Sequence, residues 1–253
     1  MAFWPSVVVA TPAHSGIGAS LTYRSELSLA PGALVRVPLG SREVLGVVWD
    51  CPDEPPPGLS EAQTKAVVGA LEGLPPLNER WRQLVGFAGR YYQRSAGEVA
   101  LAALPPQLRE LDAAQLARRL KRRAKQAATQ PEAAGAPPAA SGPAALPALS
   151  AEQAQVLAAL EGAEAPVLLF GATGSGKTEV YLRATQRVLE QADDGQAPTQ
   201  VLVMVPEINL TPQLESRFRE RFEPLFGAGA VVCLHSGMTP AQRLTSWLAA
   251  HTA

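Results

Sequence analysis

Eight consecutive residues, Gly171-Ala172-Thr173-Gly174-Ser175-Gly176-Lys177-Thr178, carry the strongest chemical signal in the sequence. They follow the apolar run Val167-Leu168-Leu169-Phe170 and precede an amphipathic stretch from Glu179 to Glu190. That is the strand, loop and helix order in which a phosphate-binding loop works. Glycines let successive backbone N–H groups turn toward one anion, and the following helix points the positive end of its dipole at the same place. On this pattern Gly171, Thr173, Gly174, Ser175 and Gly176 cradle the phosphates of ATP, Lys177 reaches the β and γ groups, and the Thr178 hydroxyl holds Mg²⁺. A glycine-rich turn with a surface lysine is the bland alternative, and it does not explain the flanking run and helix. Cys51 and Cys233 are isolated from each other and imply neither a metal site nor a disulfide framework. His14 and His251 carry no partner pattern, and His235 stands in a Leu-His-Ser-Gly segment where a structural turn and a ligand contact are both open.

The elements that must position the loop are legible around it. Ser150 caps a short helix over Ala151 to Leu160, and the apolar runs 167–170, 201–205 and 231–234 read as strands. Thr211 and Pro212 open a helix from Leu214 to Phe222. Alternating strands and helices around such a loop predict an α/β fold with a parallel sheet and ligands at the carboxyl ends of its strands. Glu207 follows the second run as a Walker B acid would, but Pro206 intervenes and the position is not cast in that role. The first hundred residues are different. Val7 to Ala10, Leu21 to Ser25, Leu34 to Pro38 and Val44 to Asp50 are short β-prone runs separated by turn signals at Ser15-Gly16, Pro31-Gly32 and Gly40-Ser41. Asn78 can cap a helix with Trp81, Leu84, Val85, Ala88, Tyr91 and Tyr92 at apolar spacing. A small mainly-β domain packed by that helix is the expected outcome.

At 253 residues and 47% hydrophobic content the chain has room for about two domains. The boundaries expected are 1–105 for the β-rich domain, 106–148 for a connecting segment and 149–253 for the α/β unit. Nothing approaches a membrane span, and the N-terminal apolar run is too short and lacks the basic leader of a signal peptide, so a cytoplasmic location is expected. The connector from Pro131 to Pro143 is Ala/Pro-rich and offers nothing to bury. Its first part is basic: residues 106–130 hold 7 basic and 2 acidic side chains in a chain whose net charge is -1. Arg118, Arg119, Lys121, Arg122, Arg123 and Lys125 sit on strong helix formers over Gln115 to Gln126. Such a helix either contacts phosphate backbone without sequence preference or merely keeps the connector solvated.

Three longer runs carry a family resemblance. GATGSGKTEVYL, LVMVPEINLTPQLESRFRERF and LHSGMTPAQRLTSWLAA resemble the first helicase lobe of the primosomal protein N′ (PriA) family, bacterial replication-restart helicases of superfamily 2. PGALVRVPLGSREVLGVV, followed by TKAVVGALEG, is similar to that family's 3′-DNA-binding domain. The resemblance implies that Gln153, in Leu149-Ser150-Ala151-Glu152-Gln153, reads adenine as a helicase Q motif does; taken alone it is an ordinary exposed helix residue. It also implies that Thr211 and Gln213 bond the phosphates of a single DNA strand. Leu21, Thr22, Gly40 and Lys65 correspond to the pocket that holds the 3′ end of a nascent strand. Where the family has an aromatic and an aspartate, this chain has Leu21 and Thr22, which removes a stacking face and a carboxylate acceptor.

The family also carries a winged helix between these domains, whereas here the basic helix, with Arg118, Arg119 and Arg122, takes that place. Its Asp-Glu-Glu-His-type motif, cysteine-rich zinc module, second lobe and arginine finger have no counterpart in these residues, so zinc is expected only elsewhere in such a protein and no zinc ligands are assigned here. Taken together, the resemblance implies the N-terminal part of an ATP-dependent 3′-to-5′ helicase that recognises stalled or abandoned forks and initiates primosome assembly. ATP and Mg²⁺ are its implied cofactors. Its implied partners are forked DNA with a nascent 3′ end, single-stranded DNA, primosome proteins and single-strand-binding protein, with no membrane. The fragment by itself is expected to be inactive. A non-enzymatic fork-binding scaffold with a vestigial or switching loop is the alternative, and an unrelated P-loop transferase or kinase is disfavoured by the PEINLTPQ run.

Overall fold

A computed structural model describes residues 2–11, 20–59, 64–129, 147–191, 199–206 and 211–252. The chain divides into two compact units, Met1–Gln130 with Met238–Thr252, and Pro131–Gly237 with Ala253. The first holds strands β1 (Ser6–Val9), β2 (Leu21–Thr22), β3 (Leu34–Leu39), β4 (Arg42–Asp50) and β5 (Gly69–Ala70), with helices α1 (Glu79–Tyr91), α2 (Ala96–Ala102) and α3 (Ala113–Thr129). Helices α4 (Ala151–Glu161), α5 (Lys177–Glu190) and α6 (Thr211–Phe226) lie in the second unit, and α7 (Pro240–His251) returns to the first.

The sheet is antiparallel in the order β2-β1-β4-β3-β5. Leu39 pairs with Arg42, so Gly40 and Ser41 form a two-residue hairpin turn, and Gly40 takes the positive φ of 61° that such turns need. Side chains alternate across the pleat. Val8, Leu34, Leu45 and Val47 face a core shared with the helices, and Val7, Val9, Val35, Val37 and Val48 build a second cluster on the other face. Arg36 lies on the helix side of this alternation. Its buried guanidinium donates to the Leu111 carbonyl from Nε (3.0 Å) and Nη2 (2.6 Å), fastening the chain that enters α3 onto the sheet.

The cap expected at Asn78 is present, and the structure adds one on the next helix. Asn78 Oδ1 accepts from Trp81 N at 2.8 Å to start α1, and Ser95 and Glu98 form a reciprocal capping box on α2. Gly97 lets α2 touch β1, since a Cβ there would overlap the Val9 carbonyl. The basic helix runs from Ala113 to Thr129, and Asp112 Oδ1 accepts from Gln115 N at 2.6 Å at its start. It is not a free connector: Leu116 is fully buried together with Leu108 of the 3₁₀ turn Pro106–Arg109. The Ala/Pro tract that follows lies outside the described residues.

Helix α7 closes the same core with Leu244 and Leu248. Arg123 of α3 donates to the Leu248 carbonyl (2.5 Å) and Thr252 Oγ1 (2.6 Å), which ties α3 to the C-terminal end of α7. His251 carries no partner pattern in the sequence. In the structure it is half-buried, stacks on Trp247 with ring centroids 4.4 Å apart, and donates from Nε2 to the Pro75 carbonyl at 2.8 Å.

Two differences from the sequence reading are informative. In α1, Val85 is buried and Trp81 packs against the core, but Leu84, Tyr91 and Tyr92 face solvent. The apolar arc of this helix is wider than the surface it packs on. In the second unit no strand is assigned among the described residues, although 167–170, 201–205 and 231–234 read as strands. Leu168 is 88% and Phe170 94% exposed. A parallel strand needs a ladder partner and cover on both faces, and among the described residues Val231 alone of these runs packs against the buried cluster of Leu182, Phe218 and Phe222.

Candidate nucleotide and nucleic-acid sites

The glycine-rich loop is built by conformation and close approach. Gly174 and Gly176 both adopt φ of 83°, a left-handed region that other residues enter at a cost. Gly176 is the N-cap of α5 and supplies no side-chain cap, so N–H groups of the first turn remain for an external acceptor. Lys177 folds back across the loop, its Nζ donating to the carbonyls of Gly171 and Ala172, each at 2.6 Å. Ser175 N donates to the Ala172 carbonyl at 3.2 Å, closing the turn. Thr173 and Ser175 are exposed, and Thr178 is half-buried in the first turn of α5.

Gln153 reaches this loop from α4. Its Nε2 donates to the Gly176 carbonyl at 3.2 Å, and a Cβ on Gly176 would overlap that nitrogen. The amide oxygen accepts from Ser150 N at 2.9 Å as half of a capping box. The residue that is unremarkable on its own therefore ties the start of α4 to the end of the loop. The donor set of backbone N–H, one lysine and one threonine hydroxyl suits a polyphosphate with a hard cation.

Sequence reasoning missed an ion-pair hub beside the loop. Glu179 Oε1 accepts from Arg183 Nε at 2.9 Å and from Arg221 Nη2 of α6 at 2.7 Å, and all three side chains are largely buried. The sole hint was one acid following the loop and a run of arginines, Arg217, Arg219 and Arg221, further along the chain. Cys233 lies by α6 as well. Burial pushes its thiol up, and the nearby Glu215 carboxylate adds to this.

On α6, Gln213 lines a shallow open groove with Pro212, Ser216, Arg217 and Glu220. Thr211 begins the helix, so its backbone sits at the N-terminal end where an anion is favoured. Glu207 lies outside the described residues, as does His14. His235 is half-buried beside Gly237, and its Nδ1 is buried without a hydrogen-bond partner among the described residues.

In the first unit, the structure brings Gly40 and Lys65 together. The Lys65 ammonium donates to the Gly40 carbonyl at 3.0 Å across twenty-five residues of sequence. Both are exposed, and a Cβ on Gly40 would meet nothing, so its backbone is open to approach. Leu21 and Thr22 are half-buried in β2 against β1, and Leu21 packs with the outer cluster of the sheet. Among the α3 arginines, Arg118 and Arg122 are exposed and Arg119 is half-exposed, whereas Arg123 is committed to capping α7.

Known proteins share both halves of this organisation. Residues 6–105 match a family model described as the 3′DNA-binding domain (3′BD) of PriA, and residues 150–252 match the DEAD/DEAH box helicase model. The chain is 30% identical to a replication restart protein PriA from Rickettsia conorii over 219 residues, which cover 84% of this chain and 28% of that protein. Two others are more similar over shorter spans. The Haemophilus influenzae protein of the same name is 46% identical over 80 residues (32% and 10% of the two chains), and the Synechocystis protein 47% over 81 residues (32% and 8%). The chain thus spans little more than a quarter of the length of the curated relatives that it matches most extensively. Helicases of the DEAD/DEAH type use ATP and Mg²⁺, and among the described residues no helix is long and apolar enough to cross a membrane.

Proposed function

Since the chain belongs to the PriA family of replication restart proteins and matches its N-terminal part, we infer that it serves an ATP-dependent 3′-to-5′ DNA helicase that recognises stalled or abandoned forks and initiates primosome assembly. One observation carries the reading: a 3′-DNA-binding domain and a helicase-type phosphate loop stand in one chain, and the loop is braced by Gln153. In this reading Gly171, Thr173, Gly174, Ser175 and Gly176 wrap the ATP phosphates. Lys177 leaves its two carbonyl partners for the β and γ oxygens, and Thr178 holds Mg²⁺. Gln153 keeps its bond to Gly176 and reports the adenine to the loop. Gly40 and Lys65 receive the terminus of the nascent strand, Thr211 and Gln213 follow the phosphates of a single strand, and Arg118, Arg119 and Arg122 lie along duplex backbone. Zinc is read only for the remainder of the family's length, primosome proteins and single-strand-binding protein are read as partners by the family resemblance, and the reading is of a cytoplasmic protein.

The test is binding of a fluorescent ATP analogue with Mg²⁺ by the 253-residue polypeptide, in parallel with a fork carrying a free 3′ end. Charged hydrogen bonds of the lysine type contribute about 1.5–3 kcal/mol. Lys177→Ala is therefore expected to weaken nucleotide binding by roughly tenfold to a hundredfold and to leave fork binding intact. Equal nucleotide affinity of variant and parent would favour the non-enzymatic scaffold.

A further inference from the structure

Helix α1 presents to solvent a face that the fold does not use. Leu84, Phe87, Tyr91 and Tyr92 are 63%, 56%, 69% and 69% exposed, although the opposite side of the same helix buries Val85. Positions 80, 84, 87 and 91 are spaced by four, three and four residues and so form one stripe. The rings are already ordered: Phe87 and Tyr91 stack with centroids 5.7 Å apart and planes 24° from parallel, and Tyr92 meets Tyr91 edge-on at 4.9 Å. Arg80 heads the stripe and Arg90 flanks it; both are exposed, and no carboxylate pairs with either among the described residues. Arg90 lies back over Gly86, 3.6 Å from where a Cβ would stand. The helix has one acid, Glu79, in its first turn, where it holds Gln83 at 3.0 Å.

We propose that this α1 face is a stacking platform for single-stranded nucleic acid, separate from the Gly40 and Lys65 pocket. Exposed rings accept bases of any sequence, and flanking guanidiniums without carboxylate partners accept the phosphates between them. The charge favours this occupant over a second protein surface, because an apolar partner would leave Arg80 and Arg90 unpaired at its rim. A strand bound here needs no terminus, so this platform does not depend on the fork-end reading.

The experiment titrates the 253-residue chain with an internally labelled circular oligo-dT, which has no 3′ end, and follows anisotropy at several salt concentrations. The parent is expected to bind, and Phe87→Ala with Tyr91→Ala to weaken it by roughly tenfold or more, given the energy lost per base when a stacking ring is truncated. Tyr91→Trp is expected to retain binding, and Arg80→Glu with Arg90→Glu to flatten the salt dependence. Thermal melting of each variant checks that it is folded. The proposal is overturned if the parent does not bind the circle, or if the folded double-alanine variant binds it equally well. It is equally overturned if sedimentation shows a parent dimer that the alanine changes dissolve, since the face would then seat a second copy.

Discussion

His251 shows how one residue changes meaning between sequence and structure. Burial holds its imidazole below the ordinary value of 6.5, and the hydrogen bond to the Pro75 carbonyl opposes this without reversing it. The folded state therefore takes up its proton later than the unfolded state as acidity rises. Stability is complete above pH 6.5 and declines as pH falls from there toward the lowered folded value. His251→Gln keeps an N–H for Pro75 and removes the titration, so its melting temperature is expected to vary less than the parent's between pH 7.5 and 5.5. Identical slopes would remove His251 from the account. The legible residues were those with local meaning. The glycines, Lys177 and the caps at Asn78 and Ser150 are defined by a few neighbours and appear where their spacing indicates. Arg36 and Arg123 were not legible as anchors, because their acceptors are carbonyls more than seventy residues away that leave no mark in composition. The Glu179 pair with Arg221 was hidden because its two side chains stand forty-two residues apart in the sequence.

For the elements, pairing decided which expectations held. The β3–β4 hairpin could be read directly, since a Gly-Ser turn between alternating apolar runs sets its own register. The runs 167–170, 201–205 and 231–234 have the composition of strands, but composition supplies no ladder partner. The basic helix illustrates the converse: its charge is evident, whereas its seat on the core depends on Leu108, Leu111 and Leu116, which read as ordinary leucines. The contact of α2 with β1 gives the sharpest prediction at this scale. Gly97→Ala places a methyl group on the Val9 carbonyl, so either the helix shifts or the strand bends. Overpacking of this sort costs about 1–3 kcal/mol, which chemical denaturation of the first unit should register as a lower midpoint with an unchanged slope. An unaltered midpoint would mean that α2 rides more loosely than the packing indicates.

At the scale of the whole chain, the question is how far 253 residues can carry the chemistry of the family. The phosphate cradle is present, yet these residues contain no Asp-Glu-Glu-His run to order Mg²⁺ and water. Absence of an arginine finger alone lowers phosphoryl-transfer rates by about 10³–10⁵. The polypeptide is therefore expected to bind nucleotide and turn over ATP negligibly, even with forked DNA present. Phosphate release at helicase-like rates would show that it draws a catalytic acid from residues not assigned here.

The attachment of α7 bears on how this region can be handled in isolation. Leu244 and Leu248 complete a core whose other members come from the first 116 residues, and Arg123 grips the far end of that helix. An excised domain stopping at residue 105 or 130 would consequently have an open seam along its leucines, and self-association through that seam could be mistaken for a natural dimer. Supplying residues 238–252 as a separate peptide offers a means of sealing it.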